Sequence, residues 1–418
     1  DTSMALTLSG TNGVVGAGFS ITPSGAVAGI VTVGAAVTIS ESGIEASGIG
    51  ITCANINGTQ IGGRRNIVIN GAMLVSQRGT STTSSGYLID RQNVYFAGLD
   101  EALTIAQGDV ASGTSPYAEG FRKSLLITNG NQTGGADDGD RIQPQNKIES
   151  QDIANSGWKY TDPNSFITIS FWAKSSVAQT FYGYLRSKDG TQQRYAYSVA
   201  LSANTWTKVI KTIPGNSNLQ FDNDANEGLQ WNILLPWIGA NLTDSGVSLN
   251  TWGTYATGTR TPDNTSTWYT TNDATFELTG LQLEVGSQAT PFEHRRYQEE
   301  FQLCKRYYQQ YPEGPTADNY NCVPSAIMAC NNTTTAYYCP TLRPTMRTSP
   351  SFSSSGNFRM NGTASVNNVA VTAIGVYHNG AATPFQYASV ASGLTAGQAV
   401  ALSVNNDATA YIAYSAEL

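Results

Sequence analysis

The stretch that decides the fold reads TFELTGLQL over Thr275–Leu283 and gives way to a different pattern after Pro291. Within it, apolar side chains recur at every second position on either side of Gly280, which is the period of a strand with one buried face. Four later residues recur at spacings of four, three and four: Tyr297, Phe301, Cys304 and Tyr308. Such spacing is typical of an apolar seam on a helix. The sequence therefore predicts a strand followed by one short helix at about residues 292–309, opened by Pro291.

Similar strand patterns precede this stretch. They share β-branched or aromatic residues at alternate positions and are Phe166–Ala173, Phe181–Leu185, Arg194–Val199, Trp206–Ile210 and Leu229–Leu235. The closer ones lie roughly ten to fifteen residues apart, with Gly, Asn and Asp between them, residues that reach the backbone angles of tight turns. Charged residues make up only 13% of the chain. These patterns predict a mainly β protein built from sandwich or jelly-roll domains.

Composition divides the chain into four segments. Residues 1–65 form an N-terminal small-residue β segment, with thirteen glycines and one aromatic residue, Phe19, among the first 63. Such small side chains bury too little area for an independent domain, so this segment is expected to share a core with identical chains. Residues 66–291 hold all seven tryptophans and are predicted as the jelly-roll sandwich. A helix and linker follow at 292–315, and a C-terminal β domain at 316–418.

Charge and cysteine content exclude several classes of protein. The net charge is −7, so a general nucleic-acid surface is not expected, because that needs clustered Lys and Arg. No run of about eighteen apolar residues occurs, and membrane insertion is not predicted. The five cysteines are too widely spaced for a disulfide framework: Cys53, Cys304, Cys322, Cys330 and Cys339. We expect buried free thiols in a protein assembled in a reducing cytoplasm.

Catalytic and metal motifs are weak. The chain has two histidines, His294 and His378, and no nucleophile elbow, Walker loop or dinucleotide fingerprint. The densest acidic spots lie in Gly- and Asn-rich loops that favour Asp for turn geometry: Asp137, Asp138, Asp140, Asp222 and Asp224. The loop Asp222–Gly228 places oxygens at alternating positions but lacks the downstream Glu of a calcium loop. We predict no enzyme, no cofactor and no metal site, with a structural calcium at this loop as the alternative to a simple turn.

Aromatic side chains are the candidates for binding a glycan, because ring faces stack on the apolar faces of sugars. Most of them alternate within strands and are expected in the core. Four lie in a Thr-, Gly- and Asn-rich stretch with weaker alternation and are predicted as surface glycan-binding residues: Trp252, Tyr255, Trp268 and Tyr269.

The seam Tyr297, Phe301, Cys304 and Tyr308 has two interpretations. The helix either packs on the sandwich or forms a three-fold contact between chains. The seam spans only about one and a half heptads, and so short a seam barely supports an isolated coiled coil. Spacing alone leaves both interpretations open.

Several motifs resemble a signature of bacteriophage tail-fibre proteins. The signature residues are Leu278–Gly286, Ala289–Glu293, Arg295, Tyr297, Glu300, Cys304 and Arg306–Tyr308, preceded by Asn66–Gly71, Gln77–Gly79, Asp90, Arg91 and Ser170–Lys174. The ending Tyr414–Leu418 is also similar to the end of many such fibres. The resemblance covers about 66–308 and extends weakly into the last segment. Gln92 departs from the pattern, in which an aromatic residue often follows Asp-Arg.

The resemblance implies a homotrimeric virion appendage with jelly-roll, carbohydrate-module-like domains. Residues 1–65 would attach to the particle through other tail or capsid proteins, and the C-terminal domain would lie distally against the host. Under this interpretation the seam residues are trimer contacts. The expected function is non-catalytic binding of a host surface polysaccharide during adsorption, by a protein assembled in the host cytoplasm and located in the virion. A capsid or tail decoration protein and a polysaccharide-degrading tailspike are the alternatives.

Overall fold

The computed structural model describes residues 64–313, 320, 322–362 and 366–418, and the backbone of four short strands before them. Those strands are β1 (Val37–Ser40), β2 (Gly43–Ala46), β3 (Asn55–Ile56) and β4 (Thr59–Gln60). Strands β1 and β2 form an antiparallel hairpin. Residues 1–59 and 60–418 are two compact units. Apart from these strands, the predicted attachment segment 1–65 lies almost wholly outside the described residues.

The larger unit contains a sandwich of two antiparallel sheets. The front sheet holds β6 (Gly86–Tyr87), β7 (Gln92–Ala97), β10 (Arg141–Glu149), β12 (Gln179–Ser187), β13 (Gln193–Leu201), β15 (Glu227–Leu235), β16 (Trp237–Ile238) and β17 (Trp252–Thr254). Its order is β17-β13-β12-β15-β10-β7-β6, with β16 on β10. The back sheet holds β5 (Ser81–Thr82), β8 (Thr104–Asp109), β9 (Lys123–Thr128), β11 (Phe166–Ser175), β14 (Thr207–Pro214) and β18 (Thr275–Val285). Its order is β14-β11-β18-β9-β8-β5. The mainly β sandwich fold predicted from the sequence is confirmed.

The sandwich core lies between the inner faces of the two sheets. Phe171 of the back sheet meets Trp231 of the front sheet edge to face, with ring centroids 5.6 Å apart. The Trp231 indole donates a hydrogen bond of 2.8 Å to the hydroxyl of Tyr197, which is also fully buried. Large aromatic rings each bury a large apolar area, and the internal hydrogen bond satisfies the indole N–H of Trp231.

A β-bulge in β18 explains why the alternation of apolar residues shifts by one position at Gly280. Gly280 has a φ of +67°, and the pairing of β18 with β11 shifts register at this point. A Cβ at Gly280 would lie 2.7 Å from the ring of Phe121, so only glycine fits. The extra residue lets Leu278 before it and Leu281 after it both face the core.

Helical segments are few in the described residues: α1 (Ser115–Ala118), α2 (Ser150–Ala154), a 3₁₀ turn (Ala240–Leu242) and α3 (Tyr297–Lys305). Helix α3 is shorter than the predicted 292–309. Its predicted start at Pro291 is wrong because Glu284 and Gln282 of β18 hold the backbone of Thr290 and Glu293 through 2.8 Å hydrogen bonds. No described helix is long and apolar enough to cross a membrane.

The C-terminal part adds a closed barrel and a small sheet. The barrel holds β20 (Cys322–Cys330), β21 (Thr335–Tyr338), β23 (Phe358–Asn361), β24 (Val369–His378), β25 (Phe385–Val390) and β26 (Ala399–Val404). The small sheet holds β19 (Tyr308–Tyr311), β22 (Ser351–Ser355) and β27 (Tyr411–Ser415). Its order is β19-β27-β22, so Tyr308 lies in a strand and not on the helix seam.

A buried ion cluster joins the end of this small sheet to the sandwich. The Glu417 carboxylate accepts hydrogen bonds from Arg78 at 3.0 Å and from Arg91 at 2.5 Å. Arg78 also contacts Asp90 at 3.3 Å, and its guanidinium lies 3.5 Å above the ring of Tyr308. We call these residues the junction cluster.

Candidate functional site

The outer face of the front sheet is polar. Alternation places Val94, Ile142, Leu185, Tyr195 and Trp231 inward, all at most 3% exposed. Their neighbours in the same strands therefore point outward. We call these outward residues the polar face: Asn93, Tyr95, Arg141, Gln143, Gln145, Lys147, Tyr184, Arg186, Arg194, Gln230 and Asn232.

Strand register arranges the polar face in rows that run across the sheet. In the first row Asn93 lies opposite Gln145, Gln145 opposite Asn232, and Asn232 opposite Tyr184. This row consists of neutral amides and one phenol. Directly opposite residues have Cβ atoms about 4.5–5.5 Å apart, so each member contacts the next.

The second row lies two residues further along the strands and carries positive charge. Lys147 lies opposite Gln230, Gln230 opposite Arg186, and Arg186 opposite Arg194. The front sheet therefore presents a neutral row beside a cationic row.

Side-chain hydrogen bonds link residues of the neutral row to one another and to Gln143. Gln145 donates to Asn232 at 3.0 Å, and Gln143 donates to the Tyr184 hydroxyl at 3.3 Å. The Asn232 Nδ2 atom is buried and has no partner among the described residues. Burial raises the pKa of Tyr184 to about 12, so its hydroxyl keeps its proton at neutral pH.

Arg194 is the least compensated residue of the polar face. It is 7% exposed, and its Nε and Nη1 atoms have no hydrogen-bond partner in the described part of the chain. Burial alone lowers its pKa from the ordinary value. An unpaired buried donor costs free energy, and more so when it is charged. A native protein rarely keeps such a group without a use for it.

A loop over residues 239–262 covers part of the polar face. Its apolar residues Leu242, Val247 and Leu249 pack with Tyr184 and Ala196. Two longer residues of the same loop reach the polar atoms of the sheet. The ring of Tyr255 lies 3.7 Å from the guanidinium of Arg186, and Arg260 donates to Gln143 at 3.2 Å. The loop forms one wall of the site, and the half-exposed Tyr95 and Arg141 lie on the far strands.

The four predicted glycan-binding aromatics separate into different environments. Tyr255 borders the polar face. Trp252 is half-buried at the sheet edge, where its ring packs on Tyr195 at 5.4 Å and its indole donates to the carbonyl of Pro214 at 2.7 Å. The prediction for Trp268 and Tyr269 is wrong, because both side chains are 0% exposed and no glycan ring reaches them.

Hydrogen bonds show why Trp268 and Tyr269 are internal. The Trp268 indole donates to the carbonyl of Thr275 at 3.0 Å, and the Tyr269 hydroxyl donates to Asp140 at 2.7 Å. Tyr269 also stacks on Trp237, with centroids 5.3 Å apart. Both residues therefore anchor the segment before β18 to the core.

The predicted trimer contacts are mostly used within one chain. Phe301 and Cys304 pack against Val75 of the sandwich, and both are buried. Tyr308 is 7% exposed beneath Arg78. These three burials correct the assignment of Phe301, Cys304 and Tyr308 as contacts between chains. Tyr297 is 55% exposed and remains available to a partner.

The predicted acidic candidates serve turns and packing. Asp140 accepts from the Tyr269 hydroxyl, Asp224 from the backbone of Asn226 at 2.9 Å, and Asp222 from Gln220 at 2.6 Å. Within the residues that the structure describes, no three His, Cys, Asp or Glu side chains are grouped as metal ligands would be. A structural calcium in the loop Asp222–Gly228 stays an untested alternative.

A second aromatic surface lies on the barrel. Tyr377 is 50% exposed, and its ring lies 4.7 Å from that of Tyr387 and 5.6 Å from that of Phe385. Tyr337 closes the group, 5.4 Å from Phe385. We call these four residues the barrel aromatic group.

Neither a protein-family model nor a curated protein sequence matches the chain. Among solved structures, it is similar to the enzymatically active domain of Bacteriophage CBA120 tailspike protein 4, with 10% identity and a TM-score of 0.28. That match covers 53% of this chain and 21% of the tailspike chain, so this chain spans about a fifth of that relative.

Two further solved structures are similar over about half of this chain. A putative sugar binding protein from Bacteroides thetaiotaomicron has 10% identity and a TM-score of 0.31, and the match covers 53% of this chain and 100% of that one. The xylan-binding domain from Paenibacillus barcinonensis has 11% identity and a TM-score of 0.23, over 50% of this chain and 94% of that one. At such identities the roles of residues come from this chain's own geometry.

Proposed function

We propose that the polar face binds a glycan. The observation that carries this proposal is the Arg194 guanidinium, whose Nε and Nη1 atoms have no partner among the described residues and which lies opposite the half-exposed Arg186. Sugar hydroxyls both donate and accept, and they match a surface of amides, phenols and guanidinium groups. Tyr255 and Tyr95 add ring surface at the two sides of the site, where a sugar face could stack.

We propose that this binding is not followed by cleavage. Glycoside hydrolysis by the usual route needs two carboxyl groups on either side of the scissile bond. The polar face is composed of amides, phenols and cations, and the acidic candidates Asp140, Asp222 and Asp224 are engaged in hydrogen bonds away from it.

We further propose that the protein is a trimeric bacteriophage tail fibre that contacts a host surface polysaccharide during adsorption. The support is the sequence resemblance over about 66–308, together with exposed aromatic surface on the barrel. Three weak sites on one particle would act together through avidity. Residues 1–65 would attach to the virion, and the C-terminal part would face the host.

The test is a binding screen against purified bacterial surface polysaccharides. Tyr255→Ala and Arg186→Ala should weaken binding of whichever polysaccharide the wild type captures. Lys159→Ala is the matched control, since it removes an exposed cation elsewhere on the sandwich. Tyr377→Ala tests the barrel aromatic group as an alternative location.

Two results would overturn the proposal. The first is no polysaccharide bound by a correctly folded wild type. The second is full binding by both polar-face variants alongside loss in Tyr377→Ala. Release of reducing ends from the bound polysaccharide would overturn the non-catalytic part alone.

A further inference from the structure

Two arginines of the cationic row oppose each other without a carboxylate between them. Arg186 of β12 and Arg194 of β13 are directly opposite in the register of the two antiparallel strands. Like charges in this relation destabilise a sheet. The destabilisation is larger here because Arg194 is only 7% exposed, and water screens its charge poorly.

Among the described residues, the side chains of Arg141, Arg186 and Arg260 donate hydrogen bonds to neutral groups. Arg186 donates to the amide oxygen of Gln192 at 2.9 Å and 2.5 Å, and Arg141 donates to the hydroxyl of Tyr95 at 2.9 Å. Arg260 donates to the amide oxygen of Gln143. In the described residues none of these arginines, nor Arg194, forms an ion pair.

Carboxylates are available to other arginines of the chain. The chain carries a net charge of −7. Several arginines elsewhere are paired with acids, as in Arg91 with Glu417, Arg295 with Glu300, and Arg306 with Glu149. Within the cationic row, Lys147 donates to the carbonyl of Leu418 at 2.7 Å, whereas neither Arg186 nor Arg194 has a carboxylate partner among the described residues.

We propose that the glycan bound by the polar face is acidic, and that its anionic group lies between Arg186 and Arg194. This inference rests on the proposed glycan-binding function. A guanidinium presents a planar fork of donors that matches the oxygens of a carboxylate, phosphate or sulfate. The unpartnered Nε and Nη1 atoms of Arg194 are such donors.

The two rows then bind different chemical groups of the glycan. Residues two apart along a strand are about 6.6 Å apart, and neighbouring strands about 4.8 Å, so both rows fall within the span of one or two sugar rings. The cationic row takes the acid group, and Gln145 of the neutral row takes a hydroxyl. Because one interaction is charged and the other is not, their contributions separate experimentally.

The experiment compares each captured polysaccharide with a form of it in which the charge has been removed. Carbodiimide-mediated reduction converts uronic and other carboxylates to alcohols, and dephosphorylation or desulfation removes the other two groups. We expect a loss of affinity of about 10- to 100-fold for the treatment that matches the acid present, since a charge-assisted bidentate contact is lost. Affinity should also fall as salt rises from low to physiological concentration.

Variants locate the effect on the protein. Because Arg186 is half-exposed, the Arg186→Gln variant should fold. The Arg194→Met variant keeps the length of the buried side chain but removes its charge. Both should weaken binding of the untreated glycan by about tenfold or more and leave the affinity for the neutralised glycan nearly unchanged. Lys159→Gln should change neither.

The outcomes separate this inference from the proposed function. If no polysaccharide binds, the proposed function fails. If glycans bind equally before and after neutralisation, the glycan-binding proposal stands and the acidic inference fails. Equal binding of unrelated polyanions such as dextran sulfate and DNA would also overturn it, because a non-specific charge effect would then account for the data.

Discussion

At the residue scale, we expect Arg194 to lower the stability of the free protein and to favour the binding of an anion. Its buried guanidinium has unpartnered Nε and Nη1 atoms and faces a second arginine. Folding without a ligand therefore removes water from this charged group, and its Nε and Nη1 atoms gain no hydrogen bond to replace that water. A bound anion would reverse that cost, and the same residue would then stabilise the complex.

Arg194→Met should stabilise the free protein. We expect its free energy of unfolding to rise by about 1–3 kcal/mol, because an apolar side chain of similar length replaces an unpaired buried charge. Chemical denaturation of wild type and variant, without glycan, measures the difference. Lys159→Met serves as the control and should stay within about 0.5 kcal/mol of wild type. A less stable Arg194→Met protein would mean that the guanidinium has a partner we have not identified.

The cysteines should differ sharply in reactivity. Cys304 is buried, and its burial raises the pKa of the thiol well above the ordinary value, whereas Cys322 and Cys339 are exposed. The sequence-based expectation of buried thiols is therefore wrong for these two. A thiol-reactive label followed by peptide mapping should modify Cys322 and Cys339 first and Cys304 only on unfolding. Rapid labelling of Cys304 in folded protein would contradict the packing of α3 on Val75.

The burial of individual side chains was harder to predict than the fold class. Trp268 and Tyr269 looked exposed because their stretch lacks alternation, yet a non-strand segment can be buried when its polar atoms bond to backbone and Asp140. The polar face was missed although its signal was present, in polar residues two apart within strands, as in Gln143 and Gln145. The aromatic residues of these strands mostly face the core, and the polar residues between them form the outer face.

At the element scale, Glu149 fixes the end of α3 to the front sheet. Its fully buried side chain accepts 2.8 Å hydrogen bonds from Arg306 and a 2.5 Å bond from the Tyr307 hydroxyl. Burial alone would raise the pKa of Glu149, but the hydrogen bonds from Arg306 and Tyr307 outweigh it and the pKa is lowered.

Glu149 should therefore make the protein sensitive to acid. A lowered folded-state pKa contributes stability above the ordinary value of 4.5, and this stability is lost as pH falls through the folded-state pKa. Glu149→Gln should cost about 2–4 kcal/mol at pH 7 and flatten the fall in stability below pH 5. Melting temperatures of both proteins from pH 7 to pH 3 provide the measurement. Asp109→Asn, at an exposed ion pair with Lys123, is the control and should change little. Parallel pH curves for wild type and Glu149→Gln would contradict this role.

The helix boundaries show what spacing alone could not supply. The predicted seam correctly grouped Phe301 and Cys304 on one buried side. It failed at both ends because competing partners lie far away in sequence: Gln282 and Glu284 hold the residues before α3, and β27 pairs with β19 just after it. Local periodicity carries no information about such distant hydrogen bonds.

At the scale of the whole molecule, oligomerisation remains a prediction. The barrel exposes large apolar side chains, with Ile327 70% and Tyr377 50% exposed. We expect a partner chain to cover these side chains, because burial would remove their apolar surface from water. We expect light scattering to give about three times the chain mass of 44.4 kDa. Ile327→Asp should lower the mass, while Lys159→Asp should not; a monomeric wild type would contradict the trimer.

The junction cluster has a consequence for the order of events during synthesis. Arg78 and Glu417 are 339 residues apart, and Arg91, which is 2% exposed, is paired with the same Glu417. At translation rates of about 5–20 residues per second, roughly 20–70 s pass between the emergence of the two ends of the cluster. The sandwich must spend that interval with Arg91 lacking its carboxylate. All strands of the sandwich, the last of which ends at Val285, can therefore be made before Glu417, and the junction cluster closes only when the end of the chain arrives.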